Sequence, residues 1–402
     1  MPGRAPNHSH TENLHALTAL LIECDDFWRV SPFTTPEPAW CARRPALAAA
    51  CLALGDRERR ALEGDPAALQ AFVARHLPAL ETLPDLLALP ASAEAPVAGS
   101  ARAAAGIPGR KWLQIQAFAA QVSVQPGPLL DWCSGKAHLG RLVAGQQQRA
   151  VHAVERDAAL CTAGAALAGR DGQTLHYQCA DVLRDPVAVP AGAQILALHA
   201  CGDLHRQLLR GNALDCAREL LLAPCCYHLW LISDYTPLSA AARAVDLRLT
   251  RNQVQLAVQE TVNAPERELR KQHQLAAWRL GFDSLQRQLR GVDSYLPTPS
   301  VPHRELARGF ASLCQRLAAH KGLALPAEIN WPHWEQQGQQ RLLRAQRLQL
   351  VRQAFRRAIE MWLVRDLALA LEERGFAVQL ATFCPRSVSP RNLLLRATAK
   401  TT

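Results

Sequence analysis

Five short apolar runs in the middle of the chain, each ending in polar or small residues, determine the predicted architecture. They end at Asp131, Glu155, Asp181, Asp203 and His228. The segments between them are long enough for helices, and buried strands that alternate with helices predict a parallel, doubly wound α/β sheet. Such sheets bind ligands at the carboxyl ends of their strands, so we expect a binding site where these five ends meet.

Helical periodicity dominates the flanking regions. It predicts helices over residues 14–28, 249–262, 268–280, 303–320 and 341–374. In the last of these, four apolar residues recur at helical spacing and predict one buried face: Val351, Phe355, Ile359 and Trp362. Three arginines lie off this stripe: Arg352, Arg356 and Arg357. Gly375 is a natural stop for the helix, and residues 376–383 and 392–398 are then predicted to form two strands of a terminal hairpin.

The turn after the first apolar run has the composition of a cofactor loop. Residues 131–139 read Asp-Trp-Cys-Ser-Gly-Lys-Ala-His-Leu. Gly135 permits a positive φ and a close backbone approach, and its neighbours are mostly small. Glu155 follows Asp131 by 24 residues, near the spacing of about 20 residues at which a second-strand acid binds ribose hydroxyls. The turn lacks the Gly-x-Gly-x-x-Gly pattern, which disfavours a dinucleotide-dependent oxidoreductase.

Three motifs together resemble class I S-adenosylmethionine (SAM) methyltransferases. They are the turn at residues 131–139, Leu-His-Ala-Cys-Gly-Asp at residues 198–203 and Cys-Cys-Tyr-His at residues 225–228. In this order they are similar to the family that includes the methyltransferase domain of glutathione S-transferase C-terminal-domain-containing proteins, which is related to tRNA ribose methyltransferases. The resemblance covers residues 106–235 and about the last 30 residues. Ala137 stands where that family usually has glycine.

The resemblance implies a Rossmann-like sheet, mostly parallel with an antiparallel terminal hairpin, together with a helical N-terminal region and a helical insertion. It also implies SAM as the cofactor. Asp131 and the following turn would lie beside the methionine portion, Glu155 would bind the ribose hydroxyls, and Asp181 would accept from the adenine amino group. The predicted cofactor-binding residues are Lys111, Asp131, Cys133, Ser134, Gly135, Lys136, Ala137, His138, Glu155, Asp181, Val182 and His199.

The ends of the fourth and fifth runs supply the candidate catalytic residues. These are His199, Cys201, Asp203, Cys225, Cys226 and His228. In one interpretation they shape the acceptor pocket, and a histidine acts as a general base. In a second, Cys201 and one of the adjacent cysteines form a nucleophile pair that methylates a pyrimidine through a covalent adduct. In a third, the cysteines and histidines bind zinc, but the usual Cys-x₂₋₄-Cys spacing is absent, so no metal is predicted.

The charge distribution favours a nucleic-acid partner. Residues 1–242 carry 20 basic and 22 acidic side chains, whereas residues 243–402 carry 25 and 13. The formal net charge of +10 therefore arises in the C-terminal part. Concentrated arginine binds phosphate groups, so RNA, with tRNA as one candidate, is the preferred acceptor. A solvated helical surface would explain the same charges without a partner.

Composition also bears on the compartment. Twelve cysteines in a chain whose first residues, Met1 to His8, form no apolar leader predict free thiols in the cytoplasm. No apolar run is long enough to predict a membrane span. Cys179 and Cys216, rather than the motif cysteines, are expected to be buried as small hydrophobic residues.

Four segments are predicted. They are a helical N-terminal region (1–105), a SAM-binding Rossmann-like core (106–235), a helical cap (236–340), and a final helix and hairpin (341–402) that complete the core. The sequence thus predicts a cytoplasmic SAM-dependent methyltransferase with RNA as the preferred substrate. The alternatives are methylation of a protein or small molecule, and a catalytically inactive SAM-binding protein that acts through interactions.

Overall fold

The computed structural model, which describes residues 9–92, 95–259 and 266–400, contains a seven-stranded sheet. The strands are β1 (Leu129–Trp132), β2 (Val151–Glu155), β3 (Leu175–Cys179), β4 (Ala193–Cys201), β5 (Ala217–Cys225), β6 (Phe376–Thr382) and β7 (Leu393–Ala399). Their order is β3-β2-β1-β4-β5-β7-β6. The first five strands are parallel, and β7 runs antiparallel to both β5 and β6. The predicted α/β sheet with a terminal antiparallel hairpin is confirmed.

Strands β4 and β5 have the strongest apolar pattern because they lie at the middle of the sheet. Ile195, Leu196 and Leu221 are fully buried, as expected for parallel strands that are covered on both faces. The two strands end at Cys201 and Cys225. The polar residues that follow in the two motifs therefore lie just beyond the strands.

Helices make up most of the remaining described chain. They are α1 (His10–Glu23), α2 (Asp25–Trp28), α3 (Trp40–Arg43), α4 (Pro45–Ala53), α5 (Asp56–Gly64), α6 (Pro66–Ala74), α7 (Leu83–Leu87), α8 (Ala101–Ala104), α9 (Gly109–Ala119), α10 (His138–Gln147), α11 (Ala158–Arg170), α12 (Asp203–Arg210), α13 (Ala240–Arg243), α14 (Arg251–Leu256), α15 (Glu266–Arg290), α16 (Phe310–His320), α17 (Trp331–Ala354) and α18 (Arg356–Glu373). Short 3₁₀ helices span Pro78–Leu80, Asn212–Leu214 and His303–Arg308. Within these described ranges, no helix has the length and apolar character needed to cross a membrane.

The chain forms two compact units. The first comprises Met1–Ile22, Leu83–Gln259 and Arg357–Thr402 and contains the sheet, and the second comprises Glu23–Thr82 and Glu260–Arg356. The second unit has a core of its own around Phe282, Phe310 and Leu313. The four predicted segments, including the cap at residues 236–340, stay a prediction, because compactness does not show which segments fold independently.

The prediction of one helix over residues 341–374 is wrong, because two helices occupy this range. Helix α17 ends at Ala354 and α18 begins at Arg356. Between them the Phe355 N–H bonds to the Arg352 carbonyl, an i→i−3 bond that tightens the turn and interrupts the α-helix. Neither proline nor glycine marks this break in the sequence. Gly375 has a φ of 87° and follows the end of α18, as predicted.

The buried apolar stripe of these helices is confirmed, but two arginines on the expected polar side are buried as well. Arg352 is 6% exposed and Arg356 is 5% exposed. The Arg352 Nε donates to the Trp28 carbonyl at 2.7 Å, and burial lowers the pKa of Arg352 to about 10. Long aliphatic stems allow arginine to pack inside a protein when its donors find acceptors.

Other helix boundaries also differ from the predictions. The helix expected over residues 14–28 is interrupted at Cys24, and the one expected over residues 268–280 extends over Glu266–Arg290. The helix expected over residues 303–320 begins as a 3₁₀ helix, and Gly309, with a φ of 85°, separates it from α16. Of the helix expected over residues 249–262, only Arg251–Leu256 is helical, and its last three residues lie outside the described chain.

Candidate cofactor cavity and cysteine cluster

The carboxyl ends of β1, β2 and β4 border a cavity of about 330 Å³, within the range of about 300 to 1,000 Å³ that ligand cavities occupy. Nine of the predicted cofactor residues line it: Lys111, Asp131, Cys133, Ser134, Gly135, Lys136, His138, Glu155 and His199. Its apolar walls are Ile115, Leu139, Leu160 and Leu198. Sequence reasoning missed these four residues because nothing distinguishes them from ordinary core residues.

A second cavity, of about 380 Å³, shares His138 with the first. It is lined by Arg102, Arg141 and Asp171, among other residues. The carboxylate of Asp171 pairs with both arginines. The cavity at the strand ends contains the predicted cofactor residues and is therefore the better candidate for the cofactor.

Asp131 is the most buried acid of the candidate cavity. It lies beside Ala153 of β2 and Leu196 of β4 and is only 3% exposed. Its Oδ2 accepts a hydrogen bond from the Gly140 N–H at 3.0 Å. Burial raises the pKa of Asp131 to about 7, although the Gly140 hydrogen bond opposes this effect. A cation bound beside Asp131 would lower this pKa and favour the carboxylate form.

The turn that follows β1 holds its backbone in left-handed conformations. The φ angles are 56° at Cys133, 58° at Gly135 and 50° at Ala137. Tyr177 stabilises the turn by donating its hydroxyl to the Gly135 carbonyl at 3.0 Å. A Cβ atom at Gly135 would contact nothing within 4 Å, so this turn leaves open space beside its backbone. Ala137 is fully buried, and its φ costs alanine about 1–2 kcal/mol relative to right-handed backbone.

Glu155 joins the end of β2 to this turn. Its Oε2 accepts from the Gly135 N–H at 3.0 Å, and its Oε1 accepts from the N–H groups of Arg156 and Asp157 at 2.9 and 3.0 Å. A carboxylate offers about four acceptor positions. Glu155 therefore keeps acceptor capacity for a ligand while its orientation is fixed by three backbone donors.

Three predicted cofactor residues do not line the cavity: Ala137, Asp181 and Val182. Asp181 accepts from the Leu183 N–H at 3.1 Å and lies near Arg184. Val182 lines a different cavity. Both follow β3, the outermost strand, which β2 separates from β1. Their predicted roles toward a cofactor stay predictions.

Two histidines of the cavity are neutral at pH 7. Burial lowers the pKa of His138 to about 4. The backbone of His199 has a φ of 69°. Although part of the His199 surface is exposed, desolvation lowers its pKa to about 4, and the positive charges of Lys111 and Arg391 act in the same direction. His199 can accept a hydrogen bond, but a pKa this far below 7 makes it a weak general base.

Three candidate catalytic cysteines converge next to His199. The Sγ atoms of Cys201, Cys225 and Cys226 all lie within 4.8 Å of one another. Cys201 and Cys225 are register partners at the ends of adjacent strands, with their Sγ atoms 3.3 Å apart. Hydrogen bonds from these two thiols lower the pKa of Cys226 below its usual range. The cluster can therefore hold one thiolate shared among three sulfur atoms.

The remaining catalytic candidates have different surroundings. The Asp203 carboxylate pairs with Arg206 and Arg210, each at 3.2 Å, and these ion pairs fix the start of α12. The His228 Nδ1 is buried and has no hydrogen-bond partner among the described residues. Burial lowers the pKa of His228, whereas the charge of Cys226 raises it.

The expectation that Cys179 and Cys216 are buried is wrong. Both are exposed. Cys179 ends the edge strand β3, and Cys216 immediately precedes β5. The end of an edge strand and the segment leading into a strand leave a side chain open to solvent, even where the neighbouring sequence is apolar.

Comparisons with known proteins concern the part of the chain that forms this cavity. Residues 110–231 match the model of a protein family described as "Methyltransferase domain", a span that includes β1 to β5. No curated protein matches the chain. Among solved structures, the 16S rRNA methylase RmtB is similar at 16% sequence identity, over 52% of this chain and 83% of that chain, with a TM-score of 0.20. Residues 110–231 therefore have the sequence signature of a methyltransferase domain.

Proposed function

We propose that this protein transfers methyl groups from SAM and that RNA is the acceptor. One observation carries the proposal: Asp131, Glu155 and the Gly135 turn meet at a single cavity inside the segment that matches a methyltransferase domain. We also propose the narrower similarity to glutathione S-transferase C-terminal-domain-containing proteins, which rests on the three sequence motifs. Cytoplasmic location is a further part of it, since RNA substrates are abundant there.

The residues of the cavity suit the three polar portions of SAM. In the proposed arrangement the Asp131 carboxylate accepts from the ammonium group, and Lys111 and the N–H groups of the turn meet the carboxylate. Glu155 accepts from a ribose hydroxyl with its remaining acceptor position. Asp181, whose charge acts on Cys133 of the turn, would accept from the adenine amino group. SAM supplies an electrophilic methyl group on its sulfonium sulfur.

The protein's own contribution is the positioning of the acceptor. His199 and the cysteine cluster lie at the ends of β4 and β5, beside the cavity that would hold the donor. Holding donor and acceptor in line replaces a bimolecular encounter by an effectively unimolecular step. A neutral His199 can orient an acceptor hydroxyl or amine by accepting its hydrogen bond.

Support for RNA comes from an exposed aromatic residue near the same strand ends. Trp230 follows the β5 motif and is 45% exposed, and Ile232 beyond it is fully exposed. The Arg156 guanidinium lies 5.0 Å from the Trp230 ring centroid. Arg156 directly follows the proposed ribose-binding Glu155. An aromatic ring beside an arginine is the combination on which unpaired nucleobases stack.

Calorimetric titration of SAM tests the cofactor part of the proposal. We expect wild-type protein to bind SAM, and both Asp131→Asn and Glu155→Gln to weaken binding by at least about ten-fold, or about 1.4 kcal/mol. Asp246→Asn is the matched control, because Asp246 is exposed and its partner Arg248 is exposed too. Circular dichroism confirms that each variant is folded. Folded wild-type protein that does not bind SAM would contradict the proposal.

Labelled-methyl transfer then distinguishes the acceptor classes. Incubation with labelled SAM and either total RNA or total protein should label the RNA fraction. Label found instead in protein or in a small-molecule fraction would show that the acceptor is a protein or a small molecule. SAM binding without transfer to any fraction would favour the catalytically inactive module that acts through interactions.

A further inference from the structure

We propose that Cys201, Cys225 and Cys226 bind a zinc ion through three thiolates and leave its fourth coordination position open. The three Sγ atoms lie within 4.8 Å of one another. Zinc–sulfur bonds of about 2.3 Å in tetrahedral geometry place sulfur atoms about 3.8 Å apart. The 3.3 Å between the Sγ atoms of Cys201 and Cys225 needs to lengthen by only about 0.5 Å, which small side-chain rotations provide.

The backbone at the two strand ends is arranged to bring these thiols together. Cys201 and Cys225 face each other through the β4–β5 register. Cys226 has a φ of 45°, and Gly202 has a φ of 57°. A Cβ atom on Gly202 would lie 2.0 Å from the Leu229 carbonyl oxygen, so only glycine fits at position 202. Left-handed backbone in a non-glycine residue costs free energy, and such costs concentrate at functional sites.

The surroundings of the cluster offset the negative charge that three thiolates bring. The guanidinium of Arg391 interacts electrostatically with both Cys201 and Cys226. Zinc itself contributes two positive charges, and the displaced thiol protons pass to the solvent. The zinc ion and its three thiolates would together carry one net negative charge, and the permanently charged Arg391 would lie beside them.

The donor set identifies the class of metal. Thiolates select zinc, copper(I) or iron–sulfur clusters, whereas calcium and magnesium need oxygen ligands. Among the described histidine, cysteine and acidic side chains, these three alone form such a group, so no fourth protein ligand is in place. Three protein ligands with an open position are typical of catalytic rather than structural zinc.

The cysteine cluster lies close to the proposed cofactor cavity. Cys133, which lines that cavity, interacts electrostatically with Cys201. Cys225 is buried while Cys201 and Cys226 are partly exposed, so a metal ion and an incoming molecule can reach the cluster. Water or a nitrogen, oxygen or sulfur atom of an acceptor would fill the position. The zinc site itself does not depend on the proposed methyl transfer.

Metal analysis and cobalt substitution test this site without an activity assay. We expect protein purified under reducing conditions to hold about one zinc ion per chain. Cobalt(II) added to metal-free protein should give a thiolate-to-cobalt charge-transfer band. Cys226→Ser should weaken binding by at least about 100-fold, whereas Cys216→Ser, which removes an exposed cysteine elsewhere, should not change it.

A second measurement uses the wild-type protein and does not depend on how the variants fold. Zinc should protect Cys201, Cys225 and Cys226 from alkylation, as read by peptide mass spectrometry, while Cys179 and Cys216 react equally with and without zinc. Equal alkylation of the three cysteines in both conditions, together with no cobalt band, would overturn the proposal. So would a Cys201–Cys225 disulfide in protein kept under reducing conditions, or uptake of copper(I) without uptake of zinc.

Discussion

The buried carboxyl group of Asp131 makes the free energy of unfolding depend on pH. Its pKa is raised to about 7 by burial, whereas an unfolded aspartate titrates near about 3.9. Between about pH 4 and 7 the folded state binds a proton that the unfolded state releases, so the free energy of unfolding falls as pH rises. This one group contributes a slope of at most about 1.4 kcal/mol per pH unit.

Urea unfolding of wild-type protein and Asp131→Asn between pH 5 and pH 7.5 measures this contribution. We expect the wild-type stability to fall relative to the variant as pH rises, because asparagine does not titrate. Parallel pH profiles for the two proteins would contradict a raised pKa. Under the proposed function, SAM affinity should change in the opposite direction and increase with pH, because the ammonium group needs the ionised carboxylate.

Ala137 is the residue at which the turn departs from the glycine expected by resemblance. Its φ of 50° is unfavourable for alanine, and its side chain is fully buried. We expect Ala137→Gly to leave the free energy of unfolding within about 1 kcal/mol, because relief of strain offsets the greater entropy of unfolded glycine.

A valine at the same position provides the contrast. Ala137→Val should lower stability by at least about 2 kcal/mol, since a β-branched residue at positive φ is strained and the site has no room for added methyl groups. Thermal unfolding of both variants checks the pair. Equal melting temperatures for the glycine and valine variants would show that the turn relaxes to another conformation.

At the scale of elements, α18 fixes the chain segment that leaves the site after β5. Asp366 of α18 is fully buried. Its carboxylate accepts from the Tyr235 hydroxyl at 2.7 Å, from the Leu238 N–H, and from the N–H and hydroxyl of Ser239, each at 2.8 Å. Sequence reasoning missed this residue, because an acid within a helix gives no sign of partners that are distant in sequence.

Loss of this carboxylate should destabilise the sheet unit strongly. We expect Asp366→Ala to lower the free energy of unfolding by about 3 kcal/mol or more, because several buried donors lose their acceptor together. Tyr235→Phe removes only one of these hydrogen bonds and should cost about 1 kcal/mol. Denaturant unfolding compares them. The idea fails if Asp366→Ala is no more destabilising than Asp65→Ala, which removes an exposed helix cap worth about 1 kcal/mol.

Strands were more predictable than helix boundaries for a physical reason. The buried strands β4 and β5 are runs of apolar residues, which the sequence displays directly. The break at Phe355 has no local signal, because the apolar stripe continues on both sides of it. Helix interruptions of this kind depend on packing with other elements, and periodicity alone does not record them.

On the scale of the whole molecule, the excess of arginine predicts salt-sensitive binding to RNA. Many arginines pair with acids, as Arg287 and Arg341 do with Asp283, so only some of the arginines are available to bind phosphate. We expect affinity for single-stranded RNA to fall by at least about ten-fold between about 50 and 200 mM salt, because each phosphate contact releases counterions. Fluorescence anisotropy with a labelled oligonucleotide measures the slope.

Trp230 separates base stacking from this electrostatic contribution. Trp230→Ala should weaken RNA binding by about 1–3 kcal/mol without changing the salt slope. Trp230→Phe keeps an aromatic face and should retain most of the affinity. A salt-independent affinity, or equal binding by wild-type protein and the alanine variant, would argue for a protein or small-molecule acceptor.

The sequence alone determined the parallel sheet, the terminal hairpin and most of the cavity. Buried strands, a turn of small residues and acids at strand ends are local patterns, and the rule that ligands bind at carboxyl ends converts them into a site. Lys111, Asp131, Gly135 and Glu155 line this one cavity, and their roles toward a cofactor stay predictions.

Only the tertiary structure decided which of the other candidates come together. Cys201 and Cys225 are 24 residues apart, and the strand register makes them neighbours, although no metal-binding spacing is visible in the sequence. Strand order places Asp181 after the edge strand β3, and it does not line the cavity. Contacts between residues distant in sequence depend on strand order and backbone direction, which a hydrophobic pattern does not encode.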